Sequence, residues 1–290
     1  MVKESQRQPT KKHGWVWVLV SAVCTATLLA ATARSNGDSN NNSSNDKNNG
    51  NSNSNDDRGG DDGVARLSAR DIADRARQEL LTTTSLHVTV VDRSRGAGGT
   101  APSSMDLALD REGNCTATLT FGADGKANVV RRGDRVWMRM DDKLWQAQVP
   151  GAEGKAAADL LKGRYVTGSV DKPVLKNLAG VCDWNTLRRQ LRGQTASDEV
   201  GKKGSPTTLD GTPVIPLSGE ERNGTRKTLY VATRGKPYPL KYTEVSAGAP
   251  GTRKTDTTTL YADYGQPVLL RTPSASDSVD IAKLDSLDAI

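Results

Sequence analysis

Histidine and cysteine are scarce in this chain of 290 residues: the histidines are His13 and His87, and the cysteines are Cys24, Cys115 and Cys182. That scarcity almost excludes histidine chemistry. Ser-His-Asp or Cys-His catalysis would rest on His87, which alternates with apolar neighbours in a strand-like run and reads as a polar-face residue. Two domain cysteines and one histidine do not make a zinc set, and no H-E-x-x-H occurs. Aromatic residues make up 4% of the chain, with Phe121 the single phenylalanine. Residues 34–63 lack any aliphatic or aromatic side chain. Such a stretch has no apolar area to offset backbone ordering of roughly 1–2 kcal/mol per residue.

Other motifs dissolve on inspection. Ser169-Val170-Asp171-Lys172 matches S-x-x-K, but Pro173 follows, and the expected K-T-G reads Lys254-Thr255-Asp256. Gly151–Lys155 resembles part of a phosphate loop, without its spacing or hydroxyl, and reads as a helix-initiating loop. The acidic cluster Asp56, Asp57, Asp61 and Asp62 does not follow the D-x-D-x-D-G calcium pattern. No catalytic residue, metal ligand or cofactor is assigned.

What is present begins with an address. Residues 1–13 carry four basic residues against Glu4, and residues 14–33 then run without a charge. A helix of that length spans about 30 Å, the thickness of a bilayer core. The positive head predicts a cytoplasmic N-terminus and export of the chain beyond the apolar run. Ala31-Thr32-Ala33 also offers a signal-peptidase site, so anchor and cleaved signal both stand. A lipid anchor would need a cysteine after the apolar run, where the chain has Arg34; Cys24 lies too early and follows Val23. Residues 34–63 read as an Asn/Ser/Asp/Gly tether, with an r.m.s. reach on the order of 30 Å. The folding unit is residues 64–290, with 33 basic and 27 acidic side chains. Export excludes nucleic acid as a partner; a mildly basic surface is either simply solvated or rests against an anionic envelope.

Within 64–290, Ser68 before Ile72, Ala73, Ala76 and Leu80 predicts a capped helix ending near 82–85. The period then falls to two. Five short strands follow, within 86–90, 105–110, 115–121, 127–131 and 135–140, divided by turn clusters. Helical stretches are expected at 155–161, 172–179 and 183–192. Strand signals return at 214–217, 227–233, 240–245, 257–262 and 268–271. Segregated helices and meanders predict an α+β fold with an antiparallel sheet covered on one side. Cys115 opens a strand and Cys182 opens a helix. In an oxidising compartment they are expected to form a disulfide rather than remain two buried thiols.

The segments LSARDIADRARQELLTTTSLHVTV, MDLALDREGNCTATLTF, VVRRGDRVWMRM and LLKGRYV resemble the actinobacterial exported lipoproteins of the LppX/LprG group, in the LolA-like superfamily. TLYVATRGKPYPLKY and LYADYGQPVLLRTPSASDSVD extend the resemblance over nearly all of 64–290. It departs at Arg34, where family members carry a lipidated cysteine. The resemblance implies a curved antiparallel half-barrel packed against helices, with an apolar cavity that holds a lipid or glycolipid. It also implies an alternative: an interaction or sensory module with a filled core and an envelope protein partner. The expected inward, ligand-lining residues are Val88, Val90, Leu107, Leu109, Leu119, Phe121, Val136 and Met138. Met140 and Ala117 belong to the same inward set, and Thr89, Asp106, Thr118 and Trp137 should face outward.

Overall fold

The computed structural model describes residues 63–94, 101–149, 151–193, 201–248 and 254–285. The basic head, the apolar run 14–33 and nearly all of the tether therefore lie outside the described residues. Among those described, no helix is long and apolar enough to cross a membrane.

Helix α1 (Ala69–Thr82) starts where the sequence places it: the Ser68 hydroxyl accepts from the Asp71 N–H at 3.1 Å. Leu67, just outside the cap, packs into the same apolar cluster as Ile72, as a hydrophobic staple requires. The first meander follows: β1 (Ser85–Asp92), β2 (Ser104–Asp110), β3 (Cys115–Thr120), β4 (Lys126–Arg132) and β5 (Arg135–Met140). Helices α2 (Asp142–Gln148) and α3 (Ala152–Leu160), strand β6 (Tyr165–Ser169), and helices α4 (Pro173–Ala179) and α5 (Trp184–Gly193) come next. The chain returns to strands with β7 (Lys202–Lys203), β8 (Thr207–Leu209), β9 (Thr212–Glu220), β10 (Arg226–Ala232), β11 (Pro239–Ser246), β12 (Thr255–Ala262) and β13 (Ser278–Asp280). It closes on α6 (Ile281–Asp285).

The strands form one curved, mostly antiparallel sheet, ordered β13-β6-β5-β4-β3-β2-β1-β12-β11-β10-β9-β7, with β8 also paired to β9. This is the α+β architecture expected from the sequence. The two meanders join through β1 and β12, with His87 opposite Ala262 and Asp92 opposite Thr257. The inner face is fixed by register. Val88, Leu107, Ala117, Val129, Met138 and Val166 lie opposite one another in succession from β1 to β6.

Four local expectations need correction. The stretch 268–271 is not a strand, and Leu269 is 88% exposed. The preceding strand β12 is already paired on both sides, to β1 and β11, so no edge is free beside it. The chain instead runs to the far side and adds β13 parallel to β6, the one parallel pair among the described strands. Strand β3 ends at Thr120, so Phe121 sits in the turn that follows, still buried. Strand β6 escaped the sequence reading because Gly168 interrupts its alternation. Helix α2, seven residues directly after β5, also escaped it. That helix is nevertheless well defined. Asp141 accepts from the Leu144 N–H at 2.9 Å with one carboxylate oxygen and from the Lys126 N–H at 2.8 Å with the other. Gly125 lets this carboxylate approach: a Cβ there would lie 2.1 Å from Asp141 Oδ1.

Candidate functional site

The inner face of the sheet and the helices across it enclose the interior that the resemblance implies as a ligand site. Val88, Leu107, Leu109, Leu119, Phe121, Val136 and Met138 are buried in one apolar cluster; Val90 is half-buried at its margin. Helices α2 to α5 contribute Leu144, Trp145, Ala158, Leu175 and Trp184 from the other side. The period-two assignment therefore brings the named residues to one face, opposite helices. Thr118 and Asp106 are exposed on the other face, Thr89 is half-exposed, and Trp137 lies beneath the Arg135 guanidinium, 5.6 Å from its ring.

Helix α5 is fixed at its first turn by three consecutive residues. Cys182 is bonded to Cys115 at the start of β3, with 5.6 Å between their Cα atoms. Asp183 then caps the helix: one oxygen accepts from the N–H groups of Asn185 and Thr186, at 2.9 and 3.3 Å, and the other accepts from the Thr186 hydroxyl. Burial alone would raise this carboxyl. The Thr186 and Asn185 hydrogen bonds and the Arg189 charge outweigh burial and hold it below the usual carboxylate range. Trp184 follows, 5% exposed, inside the apolar cluster. Leu187 and Leu191 continue the inward stripe, and Arg188 lies on it one turn after Trp184.

Beyond β1 the inner face changes character. The row containing Val90 continues through Thr259 and Tyr242 to Leu229 and Leu217, where α1 covers it. The next row runs Asp92, Thr257, Glu244 and Lys227. Asp92, Thr257, Thr259 and Lys227 are all buried. The Lys227 ammonium lies 2.7 Å from Glu221 Oε1 and 3.7 Å from Glu244 Oε1, and the Tyr242 hydroxyl donates to Glu244 at 2.8 Å. Lys227 holds the Glu221 carboxyl below its ordinary value through hydrogen bond and charge, against burial.

Sequence reasoning missed this polar row and the role of α5. Lys227 stands two residues before Leu229 and four before Val231, so strict alternation already places it inward. Likewise, Trp184, Leu187, Arg188 and Leu191 have helical inward spacing.

The residues weighed for chemistry lie elsewhere. His87 is on the outer face, its ring nitrogens 3.2 Å from Asp263 Oδ2 and 3.2 Å from Asp106 Oδ1. Ser169 ends β6 and its hydroxyl accepts from the Asp171 N–H at 3.3 Å, so it does not start a helix as S-x-x-K chemistry requires. Gly151 caps α3 as a helix-initiating residue. Among the described residues no group of three or more His, Cys, Asp or Glu is placed to hold a metal ion.

No protein-family model matches this chain, and no curated protein matches it. Among solved structures it is similar to LprF from Mycobacterium bovis, at 13% identity over 71% of this chain and 97% of that one, with a TM-score of 0.42. It is similar to the lipoprotein LppX of Mycobacterium tuberculosis at 11% identity, over 70% and 98% of the two chains, with a TM-score of 0.45. A Pseudomonas aeruginosa MucA/MucB complex matches at 13% identity, over 72% and 59%, with a TM-score of 0.29.

Proposed function

We propose that this chain is a non-enzymatic extracytoplasmic envelope protein whose domain, residues 64–290, holds a lipid or other amphiphile between the curved sheet and its helices. Residues 14–33 attach it to the membrane, or are removed after Ala33. One observation carries the reading: the inner sheet face is apolar from β6 to β1, and one row at its margin, Asp92, Thr257, Glu244 and Lys227, is polar and largely buried. A ligand with an apolar chain and a polar end matches that division. Val88, Val90, Leu107, Leu109, Leu119, Phe121, Val136 and Met138 would contact the chain. The test is to extract the purified, oxidised domain with organic solvent and analyse the extract by mass spectrometry. Stoichiometric lipid is the expected result. A ligand-free domain that binds no apolar dye would overturn it.

A second reading has its own support. Leu109, Leu119 and Val136 are 0% exposed, so no water-sized void touches them. A core closed in this way suits an interaction or sensory module whose outer surface meets an envelope protein. Under the first reading, the ligand enters only as α5 and its neighbours move off the sheet.

A further inference from the structure

Three buried side-chain nitrogens have no hydrogen-bond partner among the described residues: Arg77 Nε, Trp184 Nε1 and Arg188 Nε. They lie on two helices that pack against each other, α1 and α5. A buried indole N–H normally finds an acceptor, and an unmade hydrogen bond at such a group costs free energy. Trp184 is 95% buried in the apolar cluster, directly after the disulfide and cap that fix the start of α5. Its position is therefore imposed, and its donor is left open in the interior. Arg188 stands one turn further on the same stripe. Arg77 directs an Nη2 to Asp74 at 3.9 Å, while its Nε stays buried.

All three groups are donors. Arginine and the indole have no acceptor, so they cannot satisfy one another. A ligand that completes the set must bring acceptor oxygens, and two guanidinium groups favour a negative charge on them. Leu187 and Leu191, on the same stripe of α5 as Trp184 and Arg188, pack against the apolar cluster. We propose that the α1–α5 junction is the headgroup site for an anionic amphiphile, a phosphate or carboxylate, whose chain extends into the apolar interior. This rests on the amphiphile-binding reading and adds the charge and position of the headgroup.

The test uses the full chain in a non-ionic detergent, with tetradecyl phosphate, tetradecanol and inorganic phosphate as probes. Binding is read by the indole N–H resonance of Trp184, assigned by Trp184→Phe, and by titration. Tetradecyl phosphate should move that resonance and bind about tenfold or more tightly than tetradecanol. Arg188→Gln should weaken tetradecyl phosphate binding more than tetradecanol binding and so reduce that preference, and Arg188→Lys should restore part of it. Comparing variants cancels any binding by residues 14–33. Equal binding of phosphate and alcohol with the Trp184 resonance unmoved overturns the headgroup site and leaves the amphiphile reading standing. An equal response to inorganic phosphate alone makes this a free-oxyanion site and overturns the amphiphile claim for it. Failure of both tetradecyl probes to bind overturns the headgroup site and the amphiphile reading together.

Discussion

Tyr238 and Tyr264 stack with ring centroids 4.0 Å apart and 15° between their planes. Tyr238 belongs to the turn between β10 and β11, and Tyr264 follows β12, so the contact joins the two C-terminal segments that carry the family resemblance. The Tyr264 hydroxyl donates to the Pro239 carbonyl. Burial, with the neighbouring Tyr261, Tyr238 and Glu79, holds the Tyr264 phenol far above its ordinary range, so it stays protonated and a donor. Lys236 reaches back to Glu79 on α1 at 3.3 Å. The cluster thus ties α1 to the sheet where β1, β12 and β11 meet. Tyr264→Phe should cost about 1 kcal/mol, the worth of the hydrogen bond lost at Pro239. A urea midpoint unchanged from the parent would show that this bond adds nothing.

The carboxyls of Asp183 and Glu221 both lie below their ordinary values. A lowered folded-state value means each group contributes stability above its unfolded value, near pH 4, and loses it as pH falls further. Near-UV circular dichroism should therefore report loosening of α5 below about pH 4 and little change between pH 5 and 7. Asp183→Asn should weaken that acid dependence. An acid transition identical to the parent's would rule out the Asp183 cap as its source.

The Cys115–Cys182 bond closes a 67-residue separation. Removing both thiols with alanine should cost about 4 kcal/mol in the chain-entropy description. The loss should appear in hydrogen exchange first at the start of α5, which the bond holds to β3. Reduction that leaves both the midpoint and the α5 protection unchanged would contradict this role for the bond.

Ala117 lies between Leu107 and Val129 on the inner face, 4% exposed. Ala117→Trp separates the two functional readings. In a core closed to ligand it should cost about 1–3 kcal/mol or more, with no dye binding by the parent. Where the interior opens to an amphiphile, the variant should keep most of its stability and lose uptake of an apolar dye. Strong destabilisation together with a dye-silent parent would reject the carrier.

The address can be tested on the full chain. A reporter fused after residue 60 should be active only if it is one that works outside the cytoplasm, because the basic head precedes the apolar run. Activity of a cytoplasmic reporter at that point would end the export reading. Acyl labelling should fail, since residue 34, next after the apolar run, is an arginine with no thiol to acylate.

Much of the fold was legible because local periods carry it. Ser68 caps α1 as its sequence implies, and alternation places Val88, Leu107, Leu119 and Met138 on one face before any pairing is known. The Cys115–Cys182 pair, expected on the assumption of an oxidising compartment, is bonded in the structure. The partner of β1 was not. His87 meets Ala262 across 175 positions, and no local pattern records which edge accepts a distant strand. The same ignorance produced the false strand at 268–271: its apolar run is real, but β12 has no free side to receive it.

The sequence by itself determined α1, strands β1 to β5 with the apolar side of each, and the scarcity of histidine and cysteine, because these follow from side-chain chemistry and a two- or four-residue spacing. Only the tertiary structure decided which polar residues are buried. Lys227 becomes an interior ion-pair partner because β10 and β11 set it opposite Glu244. Arg77 Nε, Trp184 Nε1 and Arg188 Nε are buried without a hydrogen-bond partner among the described residues, on two helices, α1 and α5, that pack together. Burial and desolvation are properties of long-range packing, and it is packing that turns an ordinary surface-type side chain into a candidate ligand contact.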